Sequence, residues 1–335
     1  MKIRILILLM TLAPVFFGIM PSFGQIMLKG INLTGAEKVW ETPSLSSRLI
    51  IQKLEEVKAS GYNAVRIPLA LSYLLDDPRT KSELNRVIKA ARKLDMHLVL
   101  ANFGHELSES SFEPKFEMLI ENWEEVLKLV PKNPGKLYIE VANEPDLNPD
   151  TWYSAVKLFV PRLQGIREDI PLIIGATNFN SMFELSRMEP WNFENLIYTF
   201  HFYEPFLFTH QGTPWTGSQN STVGIPFPFD AGAMPALDPE AKGTPGEVNY
   251  RDYEKTGNQI ALEDKLGQIA SWAEINGVRL WCTEYGVTQN ADTESRQNYL
   301  RATKKILEEQ GIPGFVWEWE GNFGVKDLIE KSPKE

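Results

Sequence analysis

Eight short apolar runs, nearly all separated by amphipathic segments, constrain this chain more than any other feature. Residues 28–33, 63–69, 97–103, 137–142, 171–176, 196–202, 278–283 and 312–319 have the length and β-former content of strands. Helical spacing appears between them. Leu45, Leu49, Ile50, Leu54 and Val57 form one face, Leu84, Val87, Ile88, Ala91 and Leu94 a second, and Phe116, Leu119, Ile120, Trp123, Leu127 and Val130 a third. Trp152 to Leu163, Leu262 to Ala273 and a stretch through Leu300 and Leu307 repeat the pattern. Thr80 and Glu83 have the spacing of a capping box at a helix start. Ser60-Gly61, Asn276-Gly277 and Gln310-Gly311 each stop a helix just before a strand. Strands joined through helices must run parallel, and eight such units predict closure into a single α/β domain, the (β/α)8 or TIM barrel.

Two segments break the rhythm. Residues 204–257, after the sixth strand, are rich in Gly, Pro and aromatics without a clear period, and a loop of that length reads as a functional rim or lid. The chain also stops soon after its last strand, so the eighth helix is expected to be short or missing.

The N-terminus follows a different logic. Lys2 and Arg4 precede an almost wholly apolar stretch, with small residues Ser22 and Gly24 at its end. Residues 1–24 read as a secretory signal peptide and 25–335 as the catalytic barrel, which predicts a secreted or periplasmic protein with no membrane span after cleavage. Without Lys2 and Arg4, 32 basic side chains face 44 acidic ones, a balance that repels phosphate backbones and argues against nucleic acid as a partner. Cys282 is the single cysteine, so neither an intramolecular disulfide nor a Cys-based metal site is available. Nothing in the sequence speaks to oligomeric state.

In a barrel of this kind the C-terminal ends of the strands line the active site. The polar residues at those ends are Arg66, His105, Asn143 with Glu144, His201 with Tyr203, Glu284, and Trp317. Glu144 and Glu284 close strands four and seven, on opposite sides of the barrel mouth. Two carboxyls so placed suit glycoside hydrolysis, in which one protonates the leaving oxygen and the other attacks the anomeric carbon or activates water. Pro145 is expected to keep Glu144 in extended geometry. Strand alternation puts Glu140 on the inner face, where a buried carboxylate needs a partner, and Arg66 is the expected one. Trp40, Trp215, Phe206, Phe208 and Trp319 are candidates for stacking on sugar rings. Trp123 and Trp152 lie on helix faces and read as core. His97 reads as structural, and His210, in the long loop, either binds substrate or has no role there.

Val-Arg-Ile-Pro at 65–68, Asn-Glu-Pro at 143–145, His-Phe-Tyr at 201–203, Thr-Glu-Tyr-Gly at 283–286, and Trp317 occur in the order that resembles glycoside hydrolase family 5, the cellulase family of clan A. The resemblance runs from Gly30-Ile31-Asn32 to Trp317-Glu318-Trp319. It implies that Glu144 is the general acid/base and Glu284 the nucleophile, in a retaining double displacement. It implies further that Asn143 binds the sugar 2-hydroxyl, Tyr203 orients the nucleophile and Arg66 keeps it ionised. His105 and His201 would flank the reacting sugar above a Trp317 platform, with a cis Trp317–Glu318 peptide. At His105 the chain departs from the pattern, because Asn102-Phe103-Gly104 intervene after the strand.

The resulting expectation is a secreted endo-β-glycosidase acting on a polysaccharide or oligosaccharide, β-1,4-glucan first, with a β-mannanase or β-1,3-glucanase as alternatives. No cofactor is implied. A metal-dependent hydrolase fits poorly, since the chain has four histidines and neither His-x-His nor His-Glu-x-x-His. A non-catalytic carbohydrate-binding barrel would keep the aromatics and dispense with one carboxylate, whereas both are present.

Overall fold

The computed structural model describes residues 27–330, apart from 39–40, 42–43, 104–106, 108 and 110–111. The signal-peptide reading of 1–24 lies outside the described residues. No helix among them is long and apolar enough to cross a membrane.

Eight parallel strands close in sequence order: β1 (Lys29–Asn32), β2 (Ala64–Leu69), β3 (His97–Asn102), β4 (Leu137–Glu140), β5 (Leu172–Gly175), β6 (Leu196–Phe202), β7 (Leu280–Tyr285) and β8 (Gly314–Val316). The barrel shuts where Lys29, Gly30 and Ile31 pair with Gly314, Phe315 and Val316. The principal helix after each strand is, in turn, α1 (Ser47–Ala59), α2 (Thr80–Lys93), α3 (Phe112–Leu129), α4 (Pro149–Ile166), α5 (Met182–Arg187), α6 (Gln259–Asn276), α7 (Thr293–Glu309) and α8 (Lys326–Glu330). All eight predicted strands are present, and the eighth helix is short as expected.

Alternation divides each strand into two faces. Leu98 and Leu100, Ile139, Leu172 and Ile174, Phe200, and Cys282 point outward into one continuous core under the helices, where Trp123 and Trp152 are fully buried. Ala64, Val99, Ile173, Ile197, Trp281 and Phe315 point inward and fill the barrel floor with Leu28. Gly30 is required there, since a Cβ on it would lie 2.3 Å from the Phe315 ring. Above that floor the inward positions turn polar: Asn32, Arg66, Glu140, Thr199 and Thr283 are all buried. The apolar base thus supports a polar layer that opens at the C-terminal mouth.

Several local expectations change in the folded context. Thr80 and Glu83 do not form a capping box. Thr80 Oγ1 donates to the Leu74 carbonyl at 2.5 Å, and Glu83 accepts from the Ser47 backbone N–H at 2.8 Å. Glu83 therefore caps the neighbouring helix, α1, because packing of α2 against α1 brings a better-placed orphan N–H within reach. Leu49 is 55% exposed and does not belong to the core face of α1. Residues 204–257 are not featureless: they contain short helices at Phe206–Thr209, Pro245–Arg251 and Tyr253–Thr256 and three single 3-10 turns. Individual bonds hold this segment together, among them Gln211 Nε2 donating to the Phe208 and Ile225 carbonyls while Gln211 Oε1 accepts from the Ile225 N–H. Such one-off contacts have no period for a sequence pattern to reveal.

Candidate active site

Arg66 organises the polar layer. Its Nε and Nη2 donate to the two oxygens of Glu140 at 2.6 and 2.7 Å, and Nη2 also donates to Asn143 Oδ1 at 2.8 Å. Nη1 donates to Asn32 Oδ1 at 2.9 Å and to Glu284 Oε1 at 2.6 Å. All five guanidinium N–H groups are used, which is what full burial of an arginine requires. The expected Arg66–Glu140 pairing is present. Glu140 and Glu284 together hold the guanidinium protonated, against the effect of its burial.

Glu284 reaches the interior through an irregularity in β7. Phe200 pairs with Cys282, but His201 pairs with Glu284, so Thr283 is an extra residue on that strand. Thr283 faces inward, its Oγ1 lying 2.7 Å from Thr199 Oγ1, and the shift turns Glu284 inward as well. A bulge of this kind re-aims a side chain that strict alternation would send outward. Glu284 Oε2 then accepts from the Tyr203 hydroxyl at 2.8 Å.

Glu144 stands four residues beyond the end of β4. Its φ is +44°, so the expected extended geometry is not observed. Proline disfavours the right-handed helical basin for its predecessor, and Glu144 takes left-handed backbone in place of the extended one, with its side chain directed to β6. There Glu144 Oε1 lies 2.6 Å from His201 Nδ1, which in turn lies 3.5 Å from Glu284 Oε2. One oxygen of each glutamate and His201 Nδ1 fall within 4.8 Å of one another. A cation at that point would compete with Arg66 and Tyr203 for Glu284 and with His201 for Glu144, since each carboxyl already has a hydrogen-bond partner.

The two carboxyls sit in unlike surroundings. Burial pushes Glu144 up to about 7, opposed by Arg66. Burial also raises Glu284, and Glu144 adds to it, while His201, Arg66 and the Tyr203 hydroxyl pull it back. Glu284 has the guanidinium and the phenol in direct contact, so it ionises before Glu144. Burial lowers His201 to about 4 and keeps its ring neutral.

A cleft of about 890 Å³ opens beside this pair, lined by Glu144, His201, Tyr203, Phe206, His210 and Trp215, with Phe179 and Phe183 along its edge. Trp317 is half-buried at the end of β8 and stacks on Phe103 at 5.9 Å, with Arg66 5.1 Å from the same Phe103 ring. The Trp317–Glu318 peptide is cis, in agreement with the resemblance.

A family model described as cellulase (glycosyl hydrolase family 5) matches residues 25–323. The chain belongs to glycoside hydrolase family 5. Endoglucanase 3 of Fibrobacter succinogenes is 27% identical over 330 residues, covering 89% of this chain and 50% of that protein. The family 5 chain thus spans half the length of that relative. Endoglucanase C of Acetivibrio thermocellus is 25% identical over 315 residues, covering 87% of this chain and 90% of that one. Among solved structures, Thermotoga maritima Cel5A in complex with mannotriose superposes with a TM-score of 0.72 at 22% identity, covering 91% and 97% of the two chains.

Of the residues expected from sequence in this family 5 site, the structure brings together Arg66, Asn143, Tyr203 and Glu284 in one bonded set and Glu144 with His201 in a second, the two 3.5 Å apart at His201 Nδ1 and Glu284 Oε2, with Trp317 at the edge. His105 and Trp40 lie outside the described residues. Of the aromatic candidates, Trp215 and Phe206 line the cleft. Phe208 and Trp319 do not, because both are buried in the core, Phe208 against Phe227 and Tyr299 and Trp319 against Tyr62. His210 lines the cleft wall but is stacked on Phe206 at 4.1 Å. His97 bonds Tyr138 near the barrel floor, a structural position.

Sequence reasoning missed Asn32 and Asn180. Asn32 donates to the Thr283 and Val316 carbonyls and accepts from Arg66, tying β1, β7 and β8 to the arginine. A polar residue in the first apolar run was its signal. Asn180 had none, since it lies after β5 in a stretch without pattern.

Proposed function

We propose that this family 5 hydrolase is a retaining endo-β-glycosidase, with β-1,4-linked glucan as substrate, Glu284 as nucleophile and Glu144 as acid/base. The observation that carries the reading is the closeness of the two carboxyls, whose nearest oxygens fall within 4.8 Å. Retaining sites hold the pair roughly 5–5.5 Å apart, whereas inverting sites leave roughly 6.5–9.5 Å for a water.

In the first step Glu284 attacks the anomeric carbon as the glycosidic bond breaks, and the proton of Glu144 goes to the leaving oxygen. In the second, Glu144 takes a proton from water, the hydroxide attacks the anomeric carbon, and Glu284 leaves as carboxylate. Arg66 and Tyr203 stabilise the carboxylate that attacks and later departs. The substrate assignment draws support from the endoglucanase relatives and from the open, aromatic-lined cleft, which suits a chain more than a single sugar. The leader reading of residues 1–24, and with it export, rests on the sequence alone, where Lys2 and Arg4 precede an apolar stretch that ends in Ser22 and Gly24.

The test is a panel of soluble β-1,4-glucan, mixed-linkage glucan, β-1,3-glucan and mannan, with product sizing and proton NMR of the first anomer released. Internal cleavage of β-1,4-glucan with a β-anomer first is expected. An α-anomer first would remove double displacement, and preference for mannan would reassign the substrate.

A further inference from the structure

The second nitrogen of His201 faces a side chain that the chemistry above does not use. Asn180 is fully buried, and its Nδ2 lies 3.1 Å from His201 Nε2. Its other amide atom, Oδ1, is also buried and has no hydrogen-bond partner among the described residues. Leaving an amide oxygen so placed is costly, and a native chain tolerates it where something else is gained.

The chain around Asn180 is built to seat it. Asn178 (φ 55°, ψ 57°), Phe179 (φ 62°, ψ 47°) and Asn180 (φ 52°) are three successive left-handed residues, none of them glycine. L-residues visit that region singly and at a cost, and such strain gathers at functional sites. Gly175, the last residue of β5, lies directly beneath: a Cβ there would fall 2.1 Å from Asn180 Oδ1 and 2.5 Å from its Cγ. A strained turn and a required glycine thus serve one contact, between a carboxamide and the imidazole that touches Glu144.

We propose that Asn180 is a positioning residue whose Nδ2–H donates to His201 Nε2, fixing the neutral imidazole in the tautomer with its proton on Nδ1, so that Glu144 meets a donor and not an acceptor. The inference rests on the reading of Glu144 as acid/base. The other charged or titratable groups around His201 are Glu284 on β7, Arg66 on β2, Glu140 on β4 and Tyr203 just past β6. Because burial keeps His201 neutral down to about 4, the tautomer and not the charge of the ring is the variable that reaches Glu144. A donor on Glu144 favours its carboxylate, the form needed to activate water in the second step, and offsets the upward push of burial. The reverse arrangement, with Asn180 Oδ1 accepting from Nε2–H, would put a bare Nδ1 against Glu144 and leave the amide nitrogen facing Gly175.

The tautomer is directly readable. In the full chain labelled with 15N-histidine, the His201 signals are assigned by their absence in His201→Gln. The wild-type protein is expected to show a protonated Nδ1 and a bare Nε2. Asn180→Asp, isosteric but able only to accept, moves the proton to Nε2. It also shifts the basic limb of kcat/KM upward by about one pH unit, because Glu144 then faces an acceptor and an added negative charge. A wild-type Nε2 that is already protonated overturns the proposal. So does an Asn180→Asp spectrum like wild type, or a basic limb that stays or falls. The wild-type spectrum does not depend on Asn180→Asp folding, only on His201→Gln for the assignment. It also reads the tautomer whether or not the chain cleaves a glucan, which separates this inference from the functional one.

Discussion

Arg66 Nη1 donates to Glu284 Oε1 at 2.6 Å in a setting where the arginine side chain is fully closed to solvent and the glutamate side chain is 5% exposed. At that burial an ion pair is stable only if every remaining donor and acceptor is satisfied. Asn32, Glu140 and Asn143 satisfy the rest of the guanidinium, so the residues that position Glu284 also hold β1, β2, β4 and β7 together at the mouth.

Replacing Arg66 tests this coupling of stability to chemistry. Arg66→Lys offers three donors where five are used, and leaves Glu140 or Glu284 buried without its full set of bonds. A loss of about 3–5 kcal/mol in unfolding free energy is expected, the scale for breaking a buried pair. A fall in kcat of about 10²-fold or more accompanies it, since electrostatic support of the reacting carboxylate is removed. Urea denaturation and steady-state kinetics on the same sample measure both, and a variant equal to wild type in either would detach Arg66 from that role.

The pH profile follows from the unlike carboxyls. With Glu144 raised to about 7, kcat/KM is expected to decline as pH rises through that value and the acid loses its proton. On the acid side it declines as Glu284 is protonated, at a pH above the ordinary carboxylate range. Glu144→Gln, assayed on an aryl glycoside whose leaving group needs no protonation, should lose the alkaline decline. An alkaline decline that persists there would assign it to another group.

Stability should respond to Glu144 with a definite sign. Its folded pKa lies above the ordinary 4.5, so its contribution is fully present below pH 4.5 and is lost as pH rises through about 7. Glu144→Gln is therefore expected to melt with wild type at pH 4 and above it at pH 8. The gain is about 2–4 °C, modest because the side chain keeps 30% of its exposure. Scanning calorimetry at the two pH values decides it. A variant that melts lower at pH 8 would contradict the burial argument.

Two aromatic truncations separate cleft wall from core. Trp215 is 58% exposed on the cleft, so Trp215→Ala should raise KM for a soluble glucan several-fold while Tm stays within about 2 °C of wild type. Phe208, fully buried, should cost about 3–5 kcal/mol on truncation to alanine. If Trp215→Ala alters neither binding nor rate, the long segment 204–257 does not form the substrate wall.

The barrel was legible in the sequence because strands and helices have periods, and eight repeats of one unit admit few closures. Asn143, Glu144, Tyr203 and Glu284 were legible because each follows an apolar run, where a barrel places its chemistry, and Arg66 and His201 because each is a polar residue inside such a run. The assignment of Glu140 to Arg66 needed only strand alternation and the cost of a lone buried charge. Phe208 and Trp319 misled because an aromatic side chain looks the same in a core and in a cleft. Glu83 misled because a carboxylate three residues into a helix caps whichever N–H the packing brings nearest.

Periodicity and residue type along the chain were sufficient to set the fold class and to nominate the acidic pair, since both depend on local pattern. Three features depended on contacts between residues distant in sequence, which no local period encodes. The bulge at Thr283 turns Glu284 inward, the carboxyl of Glu144 meets His201 on another strand, and the seat of Asn180 exists only where Gly175 leaves room.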